Sequence, residues 1–167
     1  MLDAEFWMAA LLLVTSHTTP AVVGGLAGPR WAWPIDFGLE LRDGRRLFGA
    51  SKTWRGMVLA LGASALATGL LLQRPGLGIA FALLAMAGDL TSSFIKRRRG
   101  LAPHTDVLFL DQLPECLLPL LILREPLGMS WAQLVLLAVI FVPANLIANQ
   151  SWAWVLARSR DSRHPVP

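Results

Sequence analysis

Pro75-Gly-Leu-Gly-Ile-Ala-Phe-Ala-Leu-Leu-Ala-Met-Ala-Gly-Asp-Leu-Thr-Ser-Ser-Phe-Ile95 runs directly into Lys96-Arg97-Arg98-Arg99. As a helix this stretch is long enough to cross a bilayer, whose ~30 Å hydrocarbon core takes ~20 mainly apolar residues. It carries a single charge, Asp89. The four cations behind it mark the side of the membrane on which the segment ends, because basic residues stay on the cytoplasmic side.

Outward from this segment the pattern repeats. Phe6 to Pro29 and Gly56 to Gln73 contain no Asp, Glu, Lys or Arg, and neither does Pro126 to Ala157. Val107 to Leu123 carries Asp111 and Glu115 and is interrupted by Pro114 and Pro119. The expected fold is therefore all-α, a polytopic membrane bundle of about five transmembrane helices. The composition agrees: 54% of the 167 residues are hydrophobic and 16% are charged, against about 25% charge in an ordinary soluble domain. The lone cysteine excludes a disulfide scaffold and a cysteine zinc site. The pI near 10.6 belongs to the inner loops of a membrane protein and not to a nucleic-acid surface.

With five helices, three basic segments share one side of the membrane: Arg30 to Arg55, Lys96 to Arg99, and Arg158 to Arg163. The positive-inside rule then puts the N-terminus outside and the C-terminus in the cytoplasm, in a cell (inner) membrane. The tryptophans fall near expected helix ends, Trp7 and Trp131 outside, Trp31, Trp33, Trp54, Trp152 and Trp154 inside, as an aromatic belt does. Acidic Asp3 and Glu5 stand where a signal peptide carries cations. One integral-membrane domain over 1–159 and a short disordered tail over 160–167 are expected.

Ionisable groups at membrane depth cost on the order of 2.5–3.5 kcal/mol each on insertion scales, and so mark function. Asp89, Asp111 and Glu115 fall in this class. Asp111 and Glu115 are four residues apart, on one helix face. Asp89, Ser93 and Lys96 share another face. Carboxylates facing each other across the short basic hairpin between these helices repel unless a cation separates them. Mg²⁺ suits such oxygen donors, binding through one or two carboxylates plus substrate phosphates. The alternative is an ion-paired hairpin, Asp89 with an arginine and Glu115 with Lys96. Arg97 to Arg99 read either as topology and headgroup contacts or, beside these acids, as a phosphate clamp.

The first inner loop reads Asp36-Phe-Gly38, then Asp43-Gly-Arg-Arg-Leu-Phe-Gly-Ala-Ser-Lys-Thr-Trp-Arg-Gly56. It mimics a Walker A loop, but its lysine is two residues late and no apolar strand precedes it. What remains is a glycine-flexed loop carrying Lys52, Thr53 and Arg55 into a helix N-terminus, which attracts anions. A plain topogenic loop is the alternative. Other polar residues are expected to be structural: His17 beside a bend at Pro20, Asn145 and Asn149 in interhelical hydrogen bonds, and Cys116 as a small hydrophobe. His104 lies in the basic hairpin without a spacing partner.

Three pieces in order resemble one family: Asp36-Phe-Gly38 with Phe48-Gly-Ala-Ser-Lys-Thr-Trp-Arg-Gly56; Gly88-Asp-Leu-Thr-Ser-Ser-Phe-Ile-Lys-Arg-Arg-Arg-Gly100; and Asp111-Gln-Leu113. Together they are similar to the CDP-archaeol synthases, relatives of bacterial phosphatidate cytidylyltransferases, over roughly residues 18–155. The resemblance implies a membrane enzyme that joins CTP to a lipid phosphate, an archaeol-type ether lipid phosphate or phosphatidate. It implies CDP-lipid and pyrophosphate as products, Mg²⁺ as cofactor, and no nucleic-acid partner; a homo-oligomer is compatible with it. By matching positions it implies Asp89, Lys96 and Asp111 as catalytic residues and Lys52, Thr53, Arg55, Ser93, Lys96 and Arg97 as substrate-binding ones. Asp111 matches the first acid of the family's metal pair. The second aspartate, three residues on, is replaced by Pro114, and Glu115 is the expected substitute, giving Asp89, Asp111 and Glu115 as metal ligands.

Two other classes compete. A non-catalytic membrane scaffold or transporter subunit binding anionic lipids predicts that Asp89 and Asp111 tolerate neutral substitution. A CDP-alcohol phosphotransferase requires a multi-aspartate pattern that this sequence lacks.

Overall fold

The computed structural model describes residues 3–28, 30–102, 107 and 109–161, with side chains described through residue 148. Five helices follow one another: α1 Ala4–Ala27, α2 Trp54–Leu72, α3 Pro75–Arg98, α4 Gln112–Ile122 and α5 Trp131–Asp161. All-α architecture is borne out; among the described residues the extended contacts are two isolated bridges, Pro34 with Thr53 and Glu40 with Arg46.

Helices α1, α2, α3 and α5 are long and apolar enough to cross a membrane, while α4 has 11 residues. At 1.5 Å per residue α4 reaches only about half the hydrocarbon thickness. It begins later than expected because Asp111 takes its N-cap position, where its carboxylate accepts the Val107 amide at 3.0 Å. Residues 103–106, including His104, lie outside the described set, as do 162–167 of the expected tail; α5 itself runs to Asp161.

Local chemistry sets the helix ends. The Thr53 hydroxyl caps α2 by accepting the Gly56 amide at 3.2 Å, the ordinary N-cap arrangement. Gln73 closes α2 in a left-handed conformation and Pro75 opens α3, so two residues suffice to reverse the chain. Lys96, Arg97 and Arg98 occupy the last turn of α3, where cations favour the helix dipole.

The buried cluster joins Phe6, Leu12 and Leu13 of α1, Phe81 of α3, Cys116 and Leu120 of α4, and Leu134, Leu137 and Phe141 of α5. Large apolar side chains also face outward, among them Leu66, Leu70, Val139 and Ile147, as lipid-facing helices require. Small residues let backbones touch where the bundle is tightest. A Cβ on Gly78 would lie 2.1 Å from the Ser64 carbonyl oxygen of α2, and one on Gly88 2.2 Å from the Pro114 carbonyl oxygen of α4. Gly88 therefore sets how closely α4 approaches α3, one residue before Asp89.

Candidate active site

The loop between α1 and α2 is built around Asp36. Its side chain is fully buried and accepts the amides of Gly38 at 3.1 Å, Phe48 at 3.1 Å and Gly49 at 2.9 Å, with the Arg46 guanidinium at 2.5 Å. Burial pushes the carboxyl up, but hydrogen bonds from the amides of Gly49, Gly38 and Phe48 and from the Arg46 side chain outweigh it and hold the group at about 2 instead of 3.8. A second clamp fixes the loop to α3. Arg98 donates to both Asp43 oxygens at 2.5 Å and to the carbonyls of Arg45 and Arg46 at 3.0 and 2.7 Å, while Arg45 donates to the Arg98 carbonyl at 2.7 Å. Arg98, expected at a headgroup or a phosphate, is thus spent on the loop.

Held this way, the loop delivers Lys52 to Asp89 of α3. Three ion pairs, each joining different elements, line up there. Lys52 Nζ lies 2.5 Å from Asp89 Oδ1, Lys96 Nζ 2.7 Å from Asp111 Oδ1, and His17 Nδ1 2.8 Å from Glu115 Oε1. Asp89 and Lys52 also act electrostatically on both His17 and Glu115, so the first and third pairs form one charge cluster. The expected repulsion between carboxylates is relieved by protein cations. The partners differ from those of the ion-paired hairpin: Asp89 takes a lysine from the loop, and Glu115 takes His17 from α1.

These groups surround a cavity of about 740 Å³. Lys52, Thr53, Arg55, Asp89, Ser93, Lys96, Arg97, Asp111 and Glu115, all expected from sequence, line its wall. Two of them also hold the scaffold: Thr53 caps α2, and Arg55 donates to the carbonyls of Gly28 (3.1 Å) and Arg30. Sequence reasoning missed His17, Gln112 and Asn145, which line the same cavity. The signal for His17 was its position in an otherwise charge-free apolar run, where an ionisable group needs a partner. Gln112 Oε1 and both amide atoms of Asn145 are buried without a hydrogen-bond partner. Such atoms carry a desolvation cost of about 1–3 kcal/mol unless something polar meets them.

Among the described residues no group of three or more His, Cys, Asp or Glu is gathered tightly enough to enclose a metal ion. The donors fit a Mg²⁺ ion that is shared with phosphates. Asp89 and Glu115 line one cavity and each commits a single oxygen to its ion pair, and Mg²⁺ needs only one or two carboxylates when substrate phosphates complete its shell.

The matching family model is that of the CarS-like CDP-archaeol synthases, over residues 5–158. The chain belongs to the CDP-archaeol synthase family. Membership places it among the lipid cytidylyltransferases of membrane-lipid biosynthesis. A CDP-archaeol synthase of Pyrococcus furiosus is 43% identical over 108 residues, 58% of this chain and 60% of that protein. One of Saccharolobus islandicus is 36% identical over 132 residues, 74% of this chain and 79% of that protein. A solved intramembrane enzyme of archaeal membrane-lipid biosynthesis superposes with a TM-score of 0.66 at 32% identity, covering 84% of this chain and 92% of that one. The four long apolar helices make this a multi-pass membrane protein.

Proposed function

We propose that this family member joins CTP to a membrane lipid phosphate, either an archaeol-type ether lipid phosphate or phosphatidate, releasing CDP-lipid and pyrophosphate. The observation that carries this reading is the convergence of Lys52, Asp89, Lys96, Asp111 and Glu115 on one cavity. The supporting sequence pattern is the placement of all three basic segments on one side, which orients the N-terminus outward and the site toward the cytoplasm of the cell (inner) membrane.

In the reaction a lipid phosphate oxygen attacks the α-phosphorus of CTP. A P–O bond forms, the bond from the α-phosphorus to the α,β-bridging oxygen breaks, and that oxygen leaves with its electron pair on pyrophosphate. The attacking phosphate is already ionised, so no strong base is needed. Asp89 and Glu115 would hold Mg²⁺ through the oxygen that each keeps outside its ion pair, with Asp111 beside them holding Lys96. When bound, that ion neutralises charge on the phosphates and orients them. Lys52 and Lys96, each held in place by a carboxylate, supply fixed positive charge where negative charge grows, an effect worth about 10²–10³ in rate per donor. Ser93 and Arg97 on α3 and Thr53 and Arg55 at the start of α2 line the wall against which CTP or the lipid headgroup rests. The lipid chains stay among the outward apolar faces, since a diffusing lipid arrives sideways.

The test is direct. Purified protein given Mg²⁺, labelled CTP and a panel of ether, ester and isoprenoid lipid phosphates yields a labelled CDP-lipid. Folded protein that yields none with any acceptor overturns the reading. Asp111→Asn abolishes turnover at normal expression; a variant that still turns over removes Asp111 from the reaction.

A further inference from the structure

A second concavity of about 270 Å³ adjoins the main cavity, sharing Ala50 and Arg97 with it. Its remaining wall is Arg45, Arg46, Gly49, Gly100 and Leu101. Three guanidiniums thus meet in one small pocket. Each is pinned through one end of its fork. Arg45 Nη1 donates to the Arg98 carbonyl at 2.7 Å, Arg46 Nη2 to Asp36 at 2.5 Å, and Arg97 Nη2 to the Ala102 carbonyl at 3.0 Å. A guanidinium has five N–H donors, and the Nε atoms of Arg46 and Arg97 are buried without a partner. Arg97 itself is 8% exposed. Among the described residues Asp36 is the one carboxylate that accepts from a guanidinium of these three, while Asp43 accepts the Arg45 backbone amide at 3.2 Å, so the pocket carries more positive than negative charge.

Preset arginine forks with spare donors match phosphate oxygens, which they bind bidentately. The pocket is also placed for a leaving group, since Arg97 lines both spaces. We propose that this pocket binds a diphosphate anion, and that it receives pyrophosphate as it leaves the main cavity. The receiving role rests on the cytidylyltransferase reading above; the anion site rests on the three arginines. A diphosphate could also arrive there as the tail of bound CTP, and the experiment separates the two sources.

Leu101 lines the small pocket and not the main cavity, so its charge variants leave every arginine tether in place. Inorganic pyrophosphate is titrated calorimetrically into the full detergent-purified chain holding a CTP analogue with a non-cleavable α,β-bridge. Wild type and Leu101→Lys bind pyrophosphate, and Leu101→Glu binds it at least tenfold more weakly. Arg45→Gln, which removes one fork, also weakens it. Analogue affinity stays within twofold across the set. Equal pyrophosphate affinity in the Leu101→Glu and Leu101→Lys variants overturns the proposal, as does analogue affinity that falls in step with pyrophosphate affinity, because the occupant is then the nucleotide's own tail. Should wild-type protein make no CDP-lipid yet show the same charge dependence for pyrophosphate alone, the cytidylyltransferase reading falls and the anion site stands.

Discussion

His17 Nδ1 meets Glu115 Oε1 at 2.8 Å, across 98 residues of sequence. The pair ties α1 to the short helix α4. It also answers the cost of a carboxylate that is 7% exposed in a membrane protein. Its place beside Asp89 and Lys52 makes it part of the wall of the cavity rather than a remote structural bond.

Removing one partner of a buried pair leaves the other charge stranded, at about 3–5 kcal/mol for a fully buried case. His17 keeps 24% side-chain exposure, so His17→Ala is expected to cost about 2–3 kcal/mol, at or below the lower end of that range. Glu115→Gln removes the stranded charge, so the double variant loses less than the sum of the singles. Thermal unfolding in detergent micelles measures all three; additive losses would show that the two side chains do not support each other.

Gly88 allows α3 and α4 to touch through backbone atoms, with a Cβ there only 2.2 Å from the Pro114 carbonyl oxygen and 2.6 Å from the Glu115 amide nitrogen. Gly88→Ala pushes α4 outward and moves Asp111 and Glu115 away from Asp89. Overpacking costs about 1–3 kcal/mol, and misplacing reacting groups by about 1 Å costs about 10² in rate. Gly78→Ala, which strikes Ser64 of α2 instead, lowers the unfolding temperature without that rate loss at permissive temperature. Labelled CDP-lipid formation beside Tm separates the two; equal rate losses would sink the distinction.

Asp36 gives a pH signature. Its folded value of about 2 lies below the ordinary 3.8, so its stabilisation is complete above about pH 4 and drains away as pH falls towards 2. Limited pepsin digestion across this window shows the loop of residues 28–53 losing protection in wild type. Asp36→Asn keeps the shape but loses the charge, leaving its donors poorly met at about 1–3 kcal/mol. Its loop is cleaved readily already at pH 5 and shows no step between 4 and 2. A step of the same size in the variant would assign the titration to another group.

The sequence alone determined the helices and their chemistry. Four long apolar runs, each followed by a cation, leave a bilayer as the only solvent for so much hydrocarbon, and that constraint is local to each run. The same logic marked Asp89, Asp111 and Glu115, because a charge in an apolar run is conspicuous wherever the chain later carries it. Which charge meets which was a matter for the tertiary structure. Lys52 with Asp89 and His17 with Glu115 depend on how α1, α3 and α4 lie against one another and on the Asp36 and Arg98 clamps that hold the loop. Helical periodicity fixes the face a side chain shares with its own neighbours three and four residues away. It carries no information on the helix that face will meet, and so the pairing of Glu115 with a residue 98 positions earlier could come only from the folded bundle.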